Sequence, residues 1–144
     1  LREKLGLAYY GGAGTAFETY GGYFTVNTGG PHGDLKKAVK KIAEILKRCA
    51  ENGVSAGELK LAKDYIRGIM ALSFESSDEV AAFYGEQALF RKKIFSPEEI
   101  WRKMEKISRD DLAVVARDLL HPSRFNLAII GPHKDADFYK KLLA

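Results

Sequence analysis

The spacing of apolar and polar residues changes along this chain. The first 28 residues contain two runs rich in aromatic and small residues, about Leu7–Phe17 and Gly22–Thr28, on either side of a turn near residues 18–21. Runs of this kind that flank a short turn are typical of a β-hairpin. We therefore predict two antiparallel strands at the start of the chain, preceded by a short charged helix end that stops at Gly6.

From residue 34 onward the apolar residues recur at helical spacing. Asp34 is a suitable N-cap for a helix that runs to about Asn52, and Gly53 is a suitable end for it. Serine followed three residues later by an acidic residue, the capping-box pattern, marks further helix starts. These starts are Ser55, with a helix to about Phe74, then Ser76, Ser96 and Ser108; a last helix is predicted over about 136–143.

A short apolar run near the end of the chain, RFNLAII at 124–130, is followed by Gly131 and Pro132. This run predicts a third, buried strand that joins the sheet of the hairpin. Strands that are separated from a series of helices favour an α+β fold, with an antiparallel-rich sheet and helices layered on one face. We find no internal boundary in the pattern and expect a single domain over residues 1–144.

Composition is that of a globular protein, with 46% hydrophobic and 29% charged residues among 144. No apolar run approaches the ~18 residues of a membrane span, so no membrane partner is expected. We also expect a cytoplasmic location. The single cysteine, Cys49, rules out an intramolecular disulfide framework and a zinc site made of several cysteines.

The net charge of +4 raises the question of a nucleic-acid partner. The basic residues concentrate on the polar side of the helix predicted from residue 34, and no aromatic residues that could stack on bases lie between them. We interpret this surface as a solvated helix face and expect no nucleic-acid binding. Its members are Lys36, Lys37, Lys40, Lys41, Lys47 and Arg48.

Catalytic motifs are not evident in the sequence. None of the three histidines lies in an HxxEH arrangement or its inverse, which would place two ligands and a base on one helix face. His121, before Pro122, is expected to cap the carbonyl groups of a helix end, and His32 and His133 are expected to be exposed loop residues. We therefore predict neither catalytic residues nor metal ligands in this chain.

The order of several motifs carries a resemblance to a known family. The opening LREKLGLAYY places Tyr9 seven residues after Arg2, and it is followed by NTGGPHGDLKKAV, NGVSAGELKLAKDYIRG, ESSDEVAAFYGEQ and ISRDDLAVVARDLLHPSRFNLAIIGP. Together these resemble the C-terminal, non-catalytic and substrate-binding domain of the pitrilysin-like (M16) zinc peptidases. The resemblance implies the fold of the M16 (LuxS/MPP-like metallohydrolase) domain, and zinc held in the parent enzyme by an upstream domain or a partner subunit.

The resemblance also implies a site. In this family the arginine and tyrosine of the motif face the zinc site of the other domain across a closed chamber and bind the peptide substrate, which identifies Arg2 and Tyr9 as candidate substrate-binding residues. Tyr10 is expected on the opposite strand face. Glycines 11, 12 and 14 fit neither GxGxxG nor a P-loop. We favour a bulge or a close approach of another backbone there, which suits a wall of a peptide chamber.

The family's domain has further strands and a helix before this motif, so we expect a fragment whose sheet is incomplete at the N-terminus. A free sheet edge would favour pairing with the remaining segment or formation of a homodimer. Two functions stay open: the inactive half of a zinc endopeptidase, or a catalytically inactive scaffold subunit of the same family. In either case this chain alone should not hydrolyse peptides.

Overall fold

An antiparallel hairpin follows a short N-terminal helix, and most of the remaining chain is helical. The computed structural model describes residues 1–18, 20–132 and 136–143. The predicted α+β fold class is confirmed. The residues group into two compact units, Leu1–Gly53 with Ala113–Ala144, and Val54–Leu112, and each is described by itself. The single-domain organisation stays a prediction.

The hairpin belongs to the first unit and agrees with the prediction. Strand β1 spans Tyr10–Glu18 and strand β2 spans Gly21–Gly29. Their register is unbroken, from the pair Tyr10 and Gly29 to the pair Glu18 and Gly21. β1 begins three residues later than expected because helix α1, Arg2–Leu5, ends at Gly6 with a φ of 60°, and residues 7–9 complete the reversal.

The predicted helices are confirmed. Gly53 ends α2 with a φ of 66°, a conformation that favours glycine. Complete capping boxes begin α3 at Ser55 and α5 at Ser96, and Ser108 exchanges the same pair of bonds with Asp111 before α6. The helices are α2 (Leu35–Asn52), α3 (Ala56–Ser73), α4 (Ser77–Phe90), α5 (Pro97–Glu105), α6 (Arg109–Leu119) and α7 (Ala136–Leu143).

Three of the predicted caps are wrong in detail. The Asp34 side chain does not cap α2, because Asp34 ends a 3₁₀ turn with a helical backbone (φ −101°, ψ −5°) instead of the extended backbone of an N-cap. Its carboxylate accepts a hydrogen bond from Lys37 Nζ at 3.0 Å. The Ser76 side chain makes no cap hydrogen bond, although α4 begins at the next residue. His121 does not cap helix carbonyls either, since its Nδ1 accepts the Ser123 N–H at 3.3 Å and so caps the start of a 3₁₀ turn.

The third strand is a wrong prediction. Among the described residues the sheet has two strands only, and 125–130 pair with neither. The Phe125 N–H donates to the Pro122 carbonyl, but the backbone groups of 127–130 have no hydrogen-bond partner in the described chain. A strand needs a neighbour, and β2 does not lie beside this run. Self-association through a free edge stays a prediction.

The core of the first unit lies along α2. Ala38 and Val39 are buried on the apolar side of this helix, and α7 packs against it with Tyr139 buried. On the opposite, polar side Lys36 is exposed, with its Nζ 4.6 Å from the centre of the Phe138 ring. The amphipathic character predicted for α2 is therefore present.

In the second unit, two polar side chains form hydrogen bonds with backbone groups of other segments. The Gln87 amide, buried in α4, donates to the Phe95 carbonyl at 3.1 Å and accepts the Phe95 N–H at 2.9 Å. Lys63 Nζ donates to the Glu105 and Ile107 carbonyls at 2.7 Å each, just where α5 ends. These bonds fix the segments before and after α5.

Within the described residues, no helix is both long and apolar enough to cross a lipid bilayer.

Candidate functional site

Arg2 lies in the first turn of α1. The side chain is 69% exposed, and its closest opposite charge is Glu3 Oε1, at 3.9 Å from Arg2 Nε. The backbone is fixed more firmly, because the Arg2 carbonyl accepts the Gly6 N–H at 3.0 Å. The guanidinium group is therefore free to bind a ligand while its main chain is held.

Tyr9 lies immediately before β1. Its N–H donates to the Gly29 carbonyl at 2.8 Å, which continues the hydrogen bonding of the sheet by one residue. The residue is 68% exposed. As with Arg2, the main chain is held by a backbone hydrogen bond and the functional end of the side chain is exposed to solvent.

A local reversal of the chain connects the two residues. The Leu7 N–H donates to the Leu1 carbonyl at 3.2 Å, so the segment after Gly6 returns beside the start of α1. No hydrogen bond joins the Arg2 and Tyr9 side chains in the part of the chain that the structure describes. Arg2 thus lies in α1 and Tyr9 lies immediately before β1, as two separate exposed donors.

Tyr10 has different surroundings from Tyr9. Its ring lies across Gly29, its partner in the register, so that a Cβ atom at position 29 would lie 2.6 Å from Tyr10 Cζ. Tyr10 also lines a cavity of about 460 Å³ in the first unit, which Tyr9 does not. The two neighbouring tyrosines therefore belong to different parts of the surface.

The glycines of β1 do not have the expected role. The register with β2 contains no bulge. A Cβ at Gly12 would meet nothing within 4 Å, and at Gly14 it would meet only the Thr25 hydroxyl, at 3.8 Å. Close backbone approach occurs instead at Gly22 and Gly30, where a Cβ would lie 2.6 Å from the carbonyl oxygens of Ala16 and Leu7. Gly11, Gly12 and Gly14 therefore have only ordinary contacts or open space where a side chain would be.

A zinc site does not fit the described residues. No group of three or more His, Cys, Asp or Glu side chains in these ranges could hold a metal ion. His121 is engaged with Ser123, whose Oγ lies 2.7 Å from Nδ1. His32 lies in a 3₁₀ turn before α2, and His133 lies outside the described residues. The zinc implied by the sequence would have to be bound elsewhere than in these ranges.

Sequence reasoning did not predict the cavity of about 460 Å³. It lies between β2 and the extended run 125–130, with α2 as its floor. The signal in the sequence is the apolar run 124–130, which predicts a paired strand. In the structure, residues 125–130 form one wall of the cavity instead.

Comparison with known proteins gives a consistent result. Residues 1–66 match the family model described as the Peptidase M16 inactive domain. An uncharacterized zinc protease of Rickettsia bellii is 32% identical over 142 residues, which is 96% of this chain and 33% of that protein. An uncharacterized zinc protease of Mycobacterium tuberculosis is 28% identical over 133 residues, covering 92% of this chain and 30% of that protein.

A eukaryotic relative has a known processing function. The β subunit of the mitochondrial-processing peptidase of Saccharomyces cerevisiae is 26% identical over 110 residues, or 76% of this chain and 24% of that subunit. The chain spans a third or less of the length of each of these relatives. The family match over residues 1–66 and the relatives that align along most of the chain support the resemblance seen in the motifs: residues 1–66 are similar to the inactive domain of the M16 peptidases, and the chain as a whole is similar to part of several zinc proteases.

Proposed function

We propose that this domain forms part of the peptide-binding chamber of a zinc-dependent endopeptidase and presents Arg2 and Tyr9 to the substrate. The zinc ion would be bound by another domain or by a partner subunit. This domain would then contribute substrate binding.

The observation that supports the proposal is the exposure of two potential donors whose main chain is held by hydrogen bonds. Arg2 and Tyr9 expose about two-thirds of their side chains while backbone hydrogen bonds hold the main chain around them. A guanidinium group and a phenol hydroxyl donate hydrogen bonds, and peptide cleavage places negative charge on the substrate carbonyl oxygen. Donors that are fixed before the reaction stabilise such charge at little cost in reorganisation.

Substitution of the two residues in the zinc-loaded peptidase tests the proposal. Arg2→Ala and Tyr9→Phe should each lower kcat/KM by roughly ten-fold or more, about 1.4 kcal/mol, because donors to transition-state charge are typically worth about 10²–10³ in rate. Zinc content and melting temperature should stay near those of the unchanged enzyme, since neither side chain contacts the core.

Tyr10→Phe is the matched control. It removes a hydroxyl from the neighbouring residue, whose ring lies against Gly29, and it should change kcat/KM by much less than Tyr9→Phe. Unchanged cleavage in both Arg2→Ala and Tyr9→Phe would contradict the proposed site. A full-length protein that neither binds zinc nor cleaves peptides would instead support the second function open from the sequence, a catalytically inactive scaffold subunit.

A further inference from the structure

The three residues before β1 form a segment that connects the sheet to α1. Ala8 is buried, with 7% of the residue exposed, and the Tyr9 N–H donates to the Gly29 carbonyl at 2.8 Å. At the other end of the segment, the Leu7 N–H donates to the Leu1 carbonyl at 3.2 Å. The position of Tyr9, a candidate substrate-binding residue, therefore depends on how this segment packs.

Gly30 follows the end of β2 and lies against this segment, with no space for a side chain of its own. A Cβ atom at position 30 would lie 2.6 Å from the Leu7 carbonyl oxygen and 3.1 Å from Ala8 Cα. Both are main-chain atoms, so rotation of a side chain cannot relieve the contact. A methyl group at position 30 would therefore displace backbone.

The displacement should fall on the segment before β1, because the chain around Gly30 is held on both sides. Gly29 is paired with Tyr10 in the register of the hairpin. Pro31 restricts the backbone after Gly30, and the chain then enters a 3₁₀ turn and α2, which carries buried core residues. The segment before β1 is held by two backbone hydrogen bonds and one small buried side chain.

We propose that Gly30 is a positioning residue for Tyr9, an inference that rests on the proposed function. Because position 30 carries no side chain, the segment before β1 lies directly against the end of β2, and the Tyr9 N–H reaches the Gly29 carbonyl. The phenol hydroxyl of Tyr9 is thereby held where it donates to the substrate. Gly30 itself contributes no group to the substrate and acts only through Tyr9.

The effect on catalysis follows from the sensitivity of a hydrogen-bond donor to its position. Hydrogen bonds weaken steeply as their distance and angle depart from the preferred values. Relief of the contact at 2.6 Å requires the main chain next to Tyr9 to move. A misplacement of about 1 Å can cost roughly 10²-fold in rate, so we expect the smaller shift caused by a methyl group to lower kcat by about five-fold.

Amide hydrogen exchange in the 144-residue chain tests the displacement without zinc or substrate. Gly30→Ala should speed exchange at the Tyr9 amide by about five-fold or more, because the shift weakens its hydrogen bond to Gly29. Gly33→Ala is the matched control, since a Cβ at position 33 meets nothing within 4 Å, and it should leave this amide unchanged. Unchanged exchange at Tyr9 in Gly30→Ala would overturn the proposal. Loss of the whole fold in this variant would make Gly30 a structural residue and would also overturn it.

Kinetics of the zinc-loaded peptidase test the consequence for cleavage. Gly30→Ala should lower kcat by about five-fold and change KM much less, because the Tyr9 hydroxyl is proposed to act on charge that develops in the transition state. Gly33→Ala should retain the activity of the unchanged enzyme, and zinc content should be the same in both variants. A rise in KM with kcat unchanged would overturn the proposal.

A double-mutant cycle separates positioning from general destabilisation. If Gly30 acts through the Tyr9 hydroxyl, Gly30→Ala should lower kcat much less in the Tyr9→Phe variant than in the unchanged enzyme, because that hydroxyl is already absent. An equal loss in both backgrounds would identify a purely structural role and overturn the proposal. If Tyr9→Phe lowers kcat and Gly30→Ala does not, only the positioning inference is wrong. If Tyr9→Phe itself leaves cleavage unchanged, the proposed role of Tyr9 fails and the inference fails with it.

Discussion

The ring of Tyr10 occupies the space that a side chain at Gly29 would need. A Cβ at position 29 would lie 2.6 Å from Tyr10 Cζ and 2.7 Å from its hydroxyl oxygen. Because Tyr10 is 61% exposed, its ring can rotate aside, and Gly29→Ala should lower the free energy of unfolding by about 1 kcal/mol or less. Urea denaturation measures this loss.

The reason for the loss can be checked in the same experiment. Gly12→Ala, in the same hairpin, meets nothing within 4 Å and should be neutral or slightly stabilising. Gly29→Ala combined with Tyr10→Ala should recover part of the loss, because the second change removes the ring. If Gly29→Ala lowers the free energy of unfolding as much in the Tyr10→Ala variant as in the unchanged chain, the contact with the Tyr10 ring is not the cause of the loss.

Lys63 is expected to stabilise the second unit through its two backbone acceptors. Lys63→Met keeps the aliphatic part of the side chain but leaves the Glu105 and Ile107 carbonyls without their donor. The free energy of unfolding should fall by about 1–3 kcal/mol, as for hydrogen bonds that involve a charged group. Lys60→Met, which removes an exposed ion pair with Asp64, should cost about 0.5 kcal/mol or less.

Gln87 is expected to be sensitive to loss of its amide. Gln87→Leu keeps the approximate size, but it removes both bonds to the Phe95 backbone. We expect a loss of about 1–3 kcal/mol in thermal or urea unfolding, and faster amide exchange at Phe95. Glu86→Leu, at the neighbouring exposed position, is the control and should stay within about 0.5 kcal/mol. Equal losses of stability in Gln87→Leu and Glu86→Leu would show that the hydrogen bonds to the Phe95 backbone do not stabilise the fold.

Acid should weaken the start of α6. Hydrogen bonds from the Ser108 side chain, and secondly from its backbone N–H, hold the pKa of Asp111 below its ordinary value. A carboxyl group whose pKa is lower in the folded state than in the unfolded state stabilises the fold at pH values above its unfolded pKa. This contribution is lost as the pH falls through the pKa of the folded state.

Asp111→Asn tests this dependence. The variant should be less stable than the unchanged chain near neutral pH, and the difference should shrink as the pH falls toward and below the folded pKa of Asp111. Melting temperatures recorded from neutral to acidic pH give the comparison. A constant difference across the range would mean that the charge on Asp111 does not contribute.

The 144-residue chain on its own should not bind zinc at one equivalent or cleave peptides. The described residues contain no group of three suitable ligands, and a catalytic zinc site normally has three protein ligands. Isothermal calorimetry and a peptide-cleavage assay with and without a chelator check both points. Tight one-to-one binding together with chelator-sensitive cleavage would contradict this prediction.

The helices could be predicted because their signals are local. A serine and an acidic residue three positions later, as at Ser55 and Ser96, specify a helix start almost without regard to the rest of the chain. The cap at Asp34 failed because Asp34 ends a 3₁₀ turn and has a helical backbone instead of the extended one of an N-cap. The residue type alone does not show which backbone conformation the preceding loop imposes.

The strand at 124–130 could not be decided from the sequence alone. Whether an apolar run pairs depends on a neighbour that lies far away in the chain, and periodicity does not identify that neighbour. For the same reason, the hydrogen bonds of Gln87 and Lys63 could not be predicted, because their backbone partners lie in other segments of the chain. The candidate site came from a motif, and the structure adds the exposure of Arg2 and Tyr9 to it.

The hydrogen bonds that Gln87 and Lys63 form with backbone groups of the second unit lead to an expectation about which residues vary among relatives. Gln87 and Lys63 bind main-chain atoms of residues 95, 105 and 107, and every amino acid supplies a carbonyl group. The residues that accept these bonds can therefore change identity over evolutionary time without loss of the contact. The donor residues cannot change in this way. An alignment should therefore show glutamine retained at position 87 and lysine at position 63, while the residues at 95, 105 and 107 vary.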